Sequence, residues 1–441
     1  MPRGGEEGRR EAPPAVRGGG LDVLPDELIQ HVLGFLEAPE AVRTCLVARR
    51  WRHLWKSATG LRVVAGNGKF LGSPAKLREF MNHLLPLCAG SQLDVFVLSL
   101  GTHYSDDPSF VYVISRCVNA SIRHALACKA RVLKIWIRYE SDGSPNARKF
   151  ELQSMPLKFE HLMRLELYGV LVHGNFLDLS GCPALERLKL DGCDLYMTAP
   201  VNKIISESLK HLIIIASTDI LGWCMGGGFP IQICTPNLVS LYLDRMGRLP
   251  RLEGTPSIVQ AFLGRSVESQ EGCSMCNNDG CMCCDNWSAV VDGTGSSLLL
   301  NGFIGSEEFV LDFCTQKVSF VYKRDSRWCP TFSNLKTLLL NGRWCVPDDF
   351  CALVGILEHS PVLEKLIIEH FSGEPKYEME MTGSIKPMVR SAAILEHLKI
   401  IEVKCDVVDA KIYKLTLFLC AFHIRKLTYC TLYTSIFLIF P

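Results

Sequence analysis

Five closely spaced cysteines are the side chains of this sequence most suited to metal chemistry. They lie within twelve residues, among Asn, Asp and Gly, at positions Cys273, Cys276, Cys281, Cys283 and Cys284. A Cys-x-x-Cys pair followed by further thiolates can supply the four sulfur ligands of a structural zinc site. The second half of the cluster is Cys-x-Cys-Cys, which is cramped for zinc, and the segment has no histidine. We therefore predict a polar loop without metal or cofactor, and keep these five thiols as the metal-ligand candidates.

Catalytic motifs elsewhere in the chain are incomplete. The segments "GNGKF" (66–70) and "GTGSS" (293–297) resemble phosphate-binding loops, but neither completes a glycine-rich nucleotide motif. The twelve histidines are scattered, and neither a Ser/His/Asp set nor a pair of carboxylates stands out among them. The sequence therefore predicts a protein that is not an enzyme.

Composition narrows the class of protein further. The chain has 441 residues, of which 48% are apolar, so it can bury a large core in roughly two or three domains. Its net charge of +1 gives no overall attraction to nucleic acid or to an anionic membrane. Residues 1–20 contain no apolar run, so we expect a disordered leader and no signal peptide. Twenty cysteines without such a signal indicate a reducing compartment, the cytoplasm or the nucleus.

The C-terminal tail, residues 415–441, is apolar enough to raise the question of a membrane anchor. His423, Arg425 and Lys426 divide it into two runs, each too short to span a bilayer as one helix. We therefore predict no membrane contact, and expect a final strand or helix followed by a poorly structured end.

Three short helices are predicted across residues 21–57. The first lies in "LPDELIQHVLGFL", where Pro25 and the acids after it suit a helix N-terminus. The second begins near Pro39. The third lies in "CLVARRWRHLWKS" (45–57), whose apolar face at helical spacing consists of Val47, Trp51, Leu54 and Trp55. So small a unit cannot bury all of this apolar surface by itself, which predicts a binding partner.

These elements together resemble an F-box, of the kind found in plant F-box proteins with leucine-rich repeats (FBD-like). The resemblance rests on Leu24–Pro25, the leucine-rich first helix, Val47 and the Trp51/Leu54 pair. It implies that residues 21–60 dock on the Skp-type adaptor of a cullin–RING ubiquitin ligase. The contact set implied by the resemblance is Leu24, Pro25, Leu28, Ile29, Leu33, Leu36, Val47, Trp51 and Leu54. Helical phase does not divide these residues between adaptor contact and internal packing.

A six-residue repeat, L-x-x-L-x-L, follows the F-box-like segment. It occurs seven times, with isoleucine as the last residue of three copies, and starts at Leu162, Leu185, Leu209, Leu238, Leu335, Leu363 and Leu395. Alternate residues of its second half point to one face of a strand, and the earlier leucine enters the core from the preceding turn. Stacked units of this kind, each a strand plus a return segment that can be helical, predict a parallel sheet.

The repeats resemble a leucine-rich-repeat solenoid from about residue 61 to 414, with a Cys-rich loop at about 264–297. The Asn or Cys that the repeat pattern expects after the last leucine occurs once, at Cys193, so we expect an irregular solenoid. The segment that begins "RWCPTFSNLKTLLL" is similar to the C-terminal repeats of the same plant family. The predicted fold class is α/β, with parallel strands on the concave side and helices or loops on the convex side.

These features predict a substrate-recognition subunit of a Skp–cullin–F-box ubiquitin ligase. The F-box would hold the adaptor, and through it a cullin, while the repeats would hold a target protein through variable positions beside the leucines. One alternative is a non-degradative protein-binding scaffold with a vestigial F-box. Another is nucleic-acid binding through the basic third helix, which the net charge of +1 disfavours.

Overall fold

The chain folds into an N-terminal helical unit and a long, mostly parallel sheet. The computed structural model describes residues 24–47, 49–65, 74–103, 108–140, 150–152, 158–196, 203–216, 231–246, 250–253, 258–264, 300, 302–312, 330–341, 350–370, 397–405, 410–420, 426–430 and 435–438. The expected leader (1–20) and the five candidate cysteines for metal lie outside these residues.

The N-terminal unit contains two α-helices, α1 (Asp26–Leu33) and α2 (Ala38–Arg43). The predicted third helix is instead a series of 3₁₀ turns at Thr44–Leu46, Arg49–Arg52 and Leu54–Ser57. A continuous α-helix would have placed residues 47, 51, 54 and 55 on one face. The tighter turns, with about three residues per turn, direct both tryptophans of this segment inward and leave its valine in solvent.

The strands are short and recur along the rest of the chain. In chain order they are β1 (Gly60–Ala65), β2 (Val95–His103), β3 (Val132–Glu140), β4 (Phe150–Glu151), β5 (Arg164–Tyr168), β6 (Val170–His173), β7 (Arg187–Tyr196), β8 (Lys203–Ile205), β9 (His211–Ala216), β10 (Gln232–Cys234), β11 (Ser240–Asp244), β12 (Arg251–Leu252), β13 (Gln260–Leu263), β14 (Glu308–Leu311), β15 (Thr337–Asn341), β16 (Lys365–His370), β17 (Ile400–Cys405), β18 (Lys426–Cys430) and β19 (Ser435–Leu438).

The main sheet runs in the order β1-β2-β3-β5-β7-β9-β11-β13-β14-β15-β16-β17-β18-β19, with β6 paired to β7 at its side and β4 to β6. The pairings along this path are parallel, except that the last strand is antiparallel to its neighbour. Strands β8, β10 and β12 form a second, smaller parallel sheet. Because each repeat adds one strand in the same register, side chains at equivalent positions line up in rows across the sheet.

Helices return the chain between some of the strands. They are α3 (Pro74–Leu87), α4 (Pro108–Ala127), α5 (Cys351–Glu358) and α6 (Ala410–Cys420). The sheet continues through β18 and β19 beyond residue 414, where the sequence predicted that the repeats end. Within the described parts of the chain, no helix has both the length and the apolarity needed to cross a membrane.

The first leucine of each repeat lies in the core, as the repeat pattern predicts. Leu162, Leu185, Leu209, Leu238 and Leu335 are fully buried, and Leu363 is nearly so. The seventh, Leu395, lies outside the described residues. The fold class predicted from the sequence is therefore confirmed: an N-terminal helical unit followed by a solenoid with a parallel sheet.

The helical unit packs directly on the first strand of the sheet. Gly34, which follows α1, lies so close to Gly60 at the start of β1 that a Cβ atom on Gly34 would be 2.6 Å from the Gly60 nitrogen. The Arg62 Nε group donates to the Gly34 carbonyl oxygen at 3.0 Å, and the Ser91 hydroxyl donates to the Lys56 carbonyl oxygen at 3.0 Å. These contacts join the N-terminal unit to the solenoid.

Candidate functional site

Helix α1 carries apolar side chains on two faces, of which one is buried. Ile29 and Leu33 are 2% and 1% exposed and belong to the core. Leu28, Val32 and Phe35, spaced four and three residues apart, are 51%, 48% and 62% exposed. Residues at this spacing lie on one side of a helix. The outer side of α1, continued by Phe35 two residues after the helix ends, is thus an apolar stripe exposed to solvent.

Two further apolar residues are exposed in the turn that follows α2. Leu46 is 84% exposed and Val47 is 75% exposed. Exposed apolar side chains in this number on one small unit mark an interaction site. We define the exposed apolar set of the N-terminal unit as Leu28, Val32, Phe35, Leu46 and Val47.

The nine residues of the predicted adaptor-contact set divide between the surface and the core. Leu28, Val47 and Pro25 are exposed, while Leu24, Leu36 and Leu54 are half-buried against the core. The remaining three are buried: Ile29, Leu33 and Trp51. Sequence reasoning left Val32, Phe35 and Leu46 out of the set. A signal for Val32 and Phe35 was available, because they continue the helical spacing that begins at Leu28.

Both tryptophans of "CLVARRWRHLWKS" lie in the core at 9% exposure. The Trp55 indole Nε1 group donates to the Arg52 carbonyl oxygen at 3.1 Å, which satisfies its polar atom. The Trp51 Nε1 atom has no hydrogen-bond partner among the described residues. The tryptophans thus hold the N-terminal unit together, while its outward apolar surface comes from smaller side chains.

One arginine of this segment has a structural role. The Arg50 guanidinium donates through Nε to the Asp26 carboxylate at 2.9 Å and through Nη2 to the Leu24 carbonyl oxygen at 2.7 Å. Asp26 is the first residue of α1, where a carboxylate is also favoured by the helix dipole. Arg50 therefore ties the 3₁₀ turns to the start of α1, whereas Arg49 and Arg52 are exposed cations beside the exposed apolar set.

The solenoid offers a second surface on the side of its sheet opposite the buried leucines, which we call the open face. A pocket on the open face lies between β2 and β7 and is lined by Ser99, Trp136, Arg138, Glu166, Leu167, Tyr168, Lys189 and Asp191. Parallel register brings these residues together from strands that are far apart in sequence.

A buried carboxylate organises this pocket. The Glu166 side chain is only 4% exposed, lies 3.1 Å from the Lys134 ammonium group, and also contacts the Arg164 guanidinium. A charge so deeply buried persists only where opposite charges compensate it. The Lys189 ammonium group lies 2.9 Å from the carboxylate of Asp191, two residues further along the same strand, β7. The pocket is thus lined by ion pairs and two aromatic rings, an arrangement suited to polar recognition.

On the strands that follow β7 in the sheet, the residues at the middle of each strand on the open face are apolar. Six half-buried apolar side chains follow one another across consecutive strands of the sheet: Ile213, Tyr242, Phe262, Val310, Leu339 and Ile367. The Tyr242 and Phe262 rings are stacked with centroids 4.0 Å apart. Burial, with the nearby Asp244 and Asp312 carboxylates, raises the pKa of Tyr242. We call these six residues the apolar row.

The structure gives no support for a metal centre in the part of the chain that it describes. Among those residues, no three His, Cys, Asp or Glu side chains are grouped as metal ligands would be. The candidate cysteines of the Cys-rich segment lie outside them, so that prediction stays a prediction.

Comparison with known proteins identifies the N-terminal unit. Residues 21–60 match the F-box domain family. An F-box/FBD/LRR-repeat protein of Arabidopsis thaliana is 24% identical over 407 residues, which cover 88% of this chain and 86% of the relative. An F-box/LRR-repeat protein of the same plant is 24% identical over 79% of this chain and 72% of its own length. A putative F-box/FBD/LRR-repeat protein is 27% identical over 49% of this chain and 51% of its own length.

The matched domain and the parallel solenoid define an F-box protein with leucine-rich repeats. The relatives support its place in the plant F-box/leucine-rich-repeat family, which confirms the resemblance seen in the sequence. An F-box domain implies binding to a Skp-type adaptor.

Proposed function

We propose that this chain is the substrate-recognition subunit of a Skp–cullin–F-box ubiquitin ligase. The observation that carries the proposal is the exposed apolar set on the segment that matches the F-box domain. In this proposal the F-box holds the adaptor, and through it a cullin, while the open face of the solenoid holds the target protein. The cytoplasm or the nucleus is the proposed location.

The exposed apolar set supplies a physical reason for adaptor binding. Full burial of a leucine or valine side chain stabilises a complex by about 1.5–3 kcal/mol. Several such side chains together can anchor an interface, since a few well-buried residues dominate most interfaces. Arg49 and Arg52, exposed beside the set, would steer an acidic partner towards it.

The chain contributes no catalytic group in this proposal. A target held close to a ubiquitin-carrying enzyme reacts faster because its effective concentration is raised. The contacts of Gly34 and Arg62 with their neighbours support this role, since they fix the F-box against the solenoid and so orient a bound target relative to the adaptor.

Recovery of the adaptor tests the F-box half of the proposal. The full chain is co-expressed with a Skp-type adaptor, either unchanged or as the double variant Leu28→Asp plus Val47→Asp. We expect the double variant to lose adaptor recovery. Leu28 and Val47 are both exposed, and the two aspartates would place charge in an apolar interface. Leu417→Asp is the matched control, since Leu417 is a leucine with 53% exposure on α6.

A second measurement separates a ligase subunit from a non-degradative scaffold. The chain–adaptor complex is mixed with a cullin–RING module, and proteins that bind the solenoid are captured while ubiquitin transfer is blocked, then assayed with transfer restored. Assembly with the cullin and modification of a captured protein support the proposal. Adaptor binding without cullin assembly or ubiquitin transfer would favour the scaffold.

A further inference from the structure

The part of the open face formed by β3, β5 and β7 is cationic. Among the described side chains that point to this side, two are carboxylates, Glu166 and Asp191, both largely buried. Five are cations: Lys134, Arg138, Arg164, Arg187 and Lys189. We call these five the cationic end of the open face. Its positive excess favours an anionic partner.

Two aromatic rings stand at the cationic end. The Trp136 and Tyr168 ring centroids are 6.4 Å apart at an angle of 46°, and Trp136 is 37% exposed. The Lys134 ammonium group lies 6.0 Å from the Trp136 ring centroid. Exposed tryptophan and arginine beside a pocket are the residue types that carry most binding energy at interfaces. The cationic end can therefore bind a partner through its aromatic rings as well as through its positive charge.

The apolar row begins on β9, the strand next to the cationic end, and is bordered by acids at the carboxyl ends of the strands. Asp244 on β11, Asp312 after β14 and Glu369 on β16 each lie two positions after a residue of the apolar row. Two of them face cations, since Asp244 lies 3.7 Å from the Arg245 guanidinium and Glu369 lies 2.9 Å from the Lys404 ammonium group. Unlike the cationic end, this border has no excess of cations among its described residues to attract anionic groups. The open face thus changes from cationic to apolar along the direction in which its strands stack.

We propose that the open face binds a target segment whose acidic residues lie on the cationic end and whose apolar residues lie on the apolar row. This inference rests on the proposed function, because it names the class of segment that the receptor recognises. The acidic part of the segment is inferred from charge complementarity with the cationic end. The apolar part is inferred from the half-buried side chains of the apolar row, which no other element among the described residues covers.

The sheet geometry fixes the length of this segment. Neighbouring strands lie about 4.8 Å apart, so the six strands of the apolar row span about 24 Å and the approach from β3 adds about 14 Å. An extended chain advances about 3.3 Å per residue. The segment is therefore about twelve residues long, with its acidic part in about the first four at one end.

The charges of the cationic end favour carboxylates over phosphate. Lys134 and Arg164 already face Glu166, and Lys189 already faces Asp191. Arg138 forms no ion pair with any other residue that the structure describes. Arg187 acts on the Glu186 carboxylate, which Lys210 already pairs at 2.8 Å. A phosphate group carries nearly two negative charges and would meet the repulsion of both carboxylates. The singly charged side chains of Asp and Glu match the remaining positive charge.

Labelled synthetic peptides of twelve residues test the proposal on the full chain bound to its adaptor. The first has Asp and Glu in four consecutive terminal positions, followed by alternating leucine or valine and serine. The second replaces its acids with lysine, the third replaces its apolar residues with serine, and the fourth carries phosphoserine in place of the acids. Fluorescence anisotropy measures each dissociation constant. We expect the first peptide to bind at least about tenfold more tightly than the others.

Two variants locate the binding site on the open face. Arg138→Glu should weaken binding of the first peptide roughly threefold to tenfold at low salt, and less at high salt. Tyr242→Ser should weaken it at least about fivefold. The matched controls are Arg123→Glu, an exposed arginine on α4, and Tyr413→Ser, a tyrosine with 60% exposure on α6. Both controls should leave the dissociation constant unchanged.

Measurements of folding and of adaptor recovery allow each peptide-binding result to be interpreted. Melting temperature shows whether a variant is folded, and only folded variants are compared. Tighter binding of the phosphopeptide, equal binding of all four peptides, or no peptide binding would overturn the inference, as would folded site variants that bind normally. Because the adaptor binds through the F-box, such results with intact adaptor recovery would leave the proposed function standing.

Discussion

Substitution of one exposed leucine and of one buried leucine in the F-box should separate adaptor binding from folding. Leu46 is 84% exposed and Leu33 is 1% exposed. We predict that Leu46→Asp weakens adaptor binding with little change in stability. We predict that Leu33→Ala does the reverse, since it removes buried contacts and leaves the outer surface in place.

The magnitudes follow from these two exposures. Full burial of a leucine is worth about 1.5–3 kcal/mol, so the small part of Leu46 that folding buries is worth about 0.2–0.5 kcal/mol. An adaptor that covers the rest gains about 1.3–2.5 kcal/mol, which corresponds to roughly a tenfold to seventyfold change in the dissociation constant. A buried leucine changed to alanine loses about 2–5 kcal/mol of stability.

Calorimetric titration with the purified adaptor and urea unfolding measure the two quantities separately. The Asp substitution should raise the dissociation constant by at least the estimated factor and leave the urea midpoint nearly unchanged. A folded Leu46→Asp variant with an unchanged dissociation constant would refute the assignment of this surface. So would a Leu33→Ala variant of normal stability, because the buried face of α1 would then contribute nothing.

Three further predictions concern the solenoid. Burial lowers the pKa of His124, so the folded state favours the neutral imidazole. The melting temperature should therefore fall as the pH drops below 6.5, the ordinary pKa of histidine. The substitution His124→Gln should make the melting temperature less dependent on pH. Burial raises the pKa values of Cys88 and Cys117 to about 11, so mass spectrometry at pH 8 should find both thiols alkylated only after unfolding. Glu166→Gln should lower the free energy of unfolding by about 1–2 kcal/mol, less than a fully buried pair would lose, because its cationic partners reach water.

Controls distinguish these effects from general damage. Glu186→Gln removes an exposed carboxylate paired with Lys210 at 2.8 Å, and its unfolding free energy should change by less than about 0.5 kcal/mol. A melting curve that stays flat down to pH 5, or rapid alkylation of Cys88 in the folded protein, would contradict the burial that the structure assigns to these groups.

The repeat pattern predicted the solenoid well because it depends on local alternation. Leu238 and Leu335 recur in the same template and are fully buried, and the strands after them pair in parallel. The repeat pattern was less informative about where the solenoid ends. The sheet extends past residue 414 through strands that lack the L-x-x-L-x-L template.

The sequence did not predict which apolar residues of the F-box segment are exposed, for a reason visible in α1. Leu28 and Ile29 are adjacent and equally apolar in sequence, yet one is 51% exposed and the other 2%. Helical spacing shows that two faces are apolar but not which face packs inward. The same limit applied to Val47, which the sequence placed on one face with Trp51, and which the 3₁₀ turns turn outward.

The sequence by itself determined the repeats, because they depend on the local spacing of apolar residues. It also showed the resemblance of residues 21–60 to an F-box, through particular residues of that segment. Tertiary structure alone decided which apolar side chains remain in solvent, and which charged residues meet. Lys134, Glu166 and Lys189 belong to three strands separated along the chain, and only parallel register makes them neighbours. Burial and charge pairing depend on packing between distant segments, so they become visible when those segments are assembled.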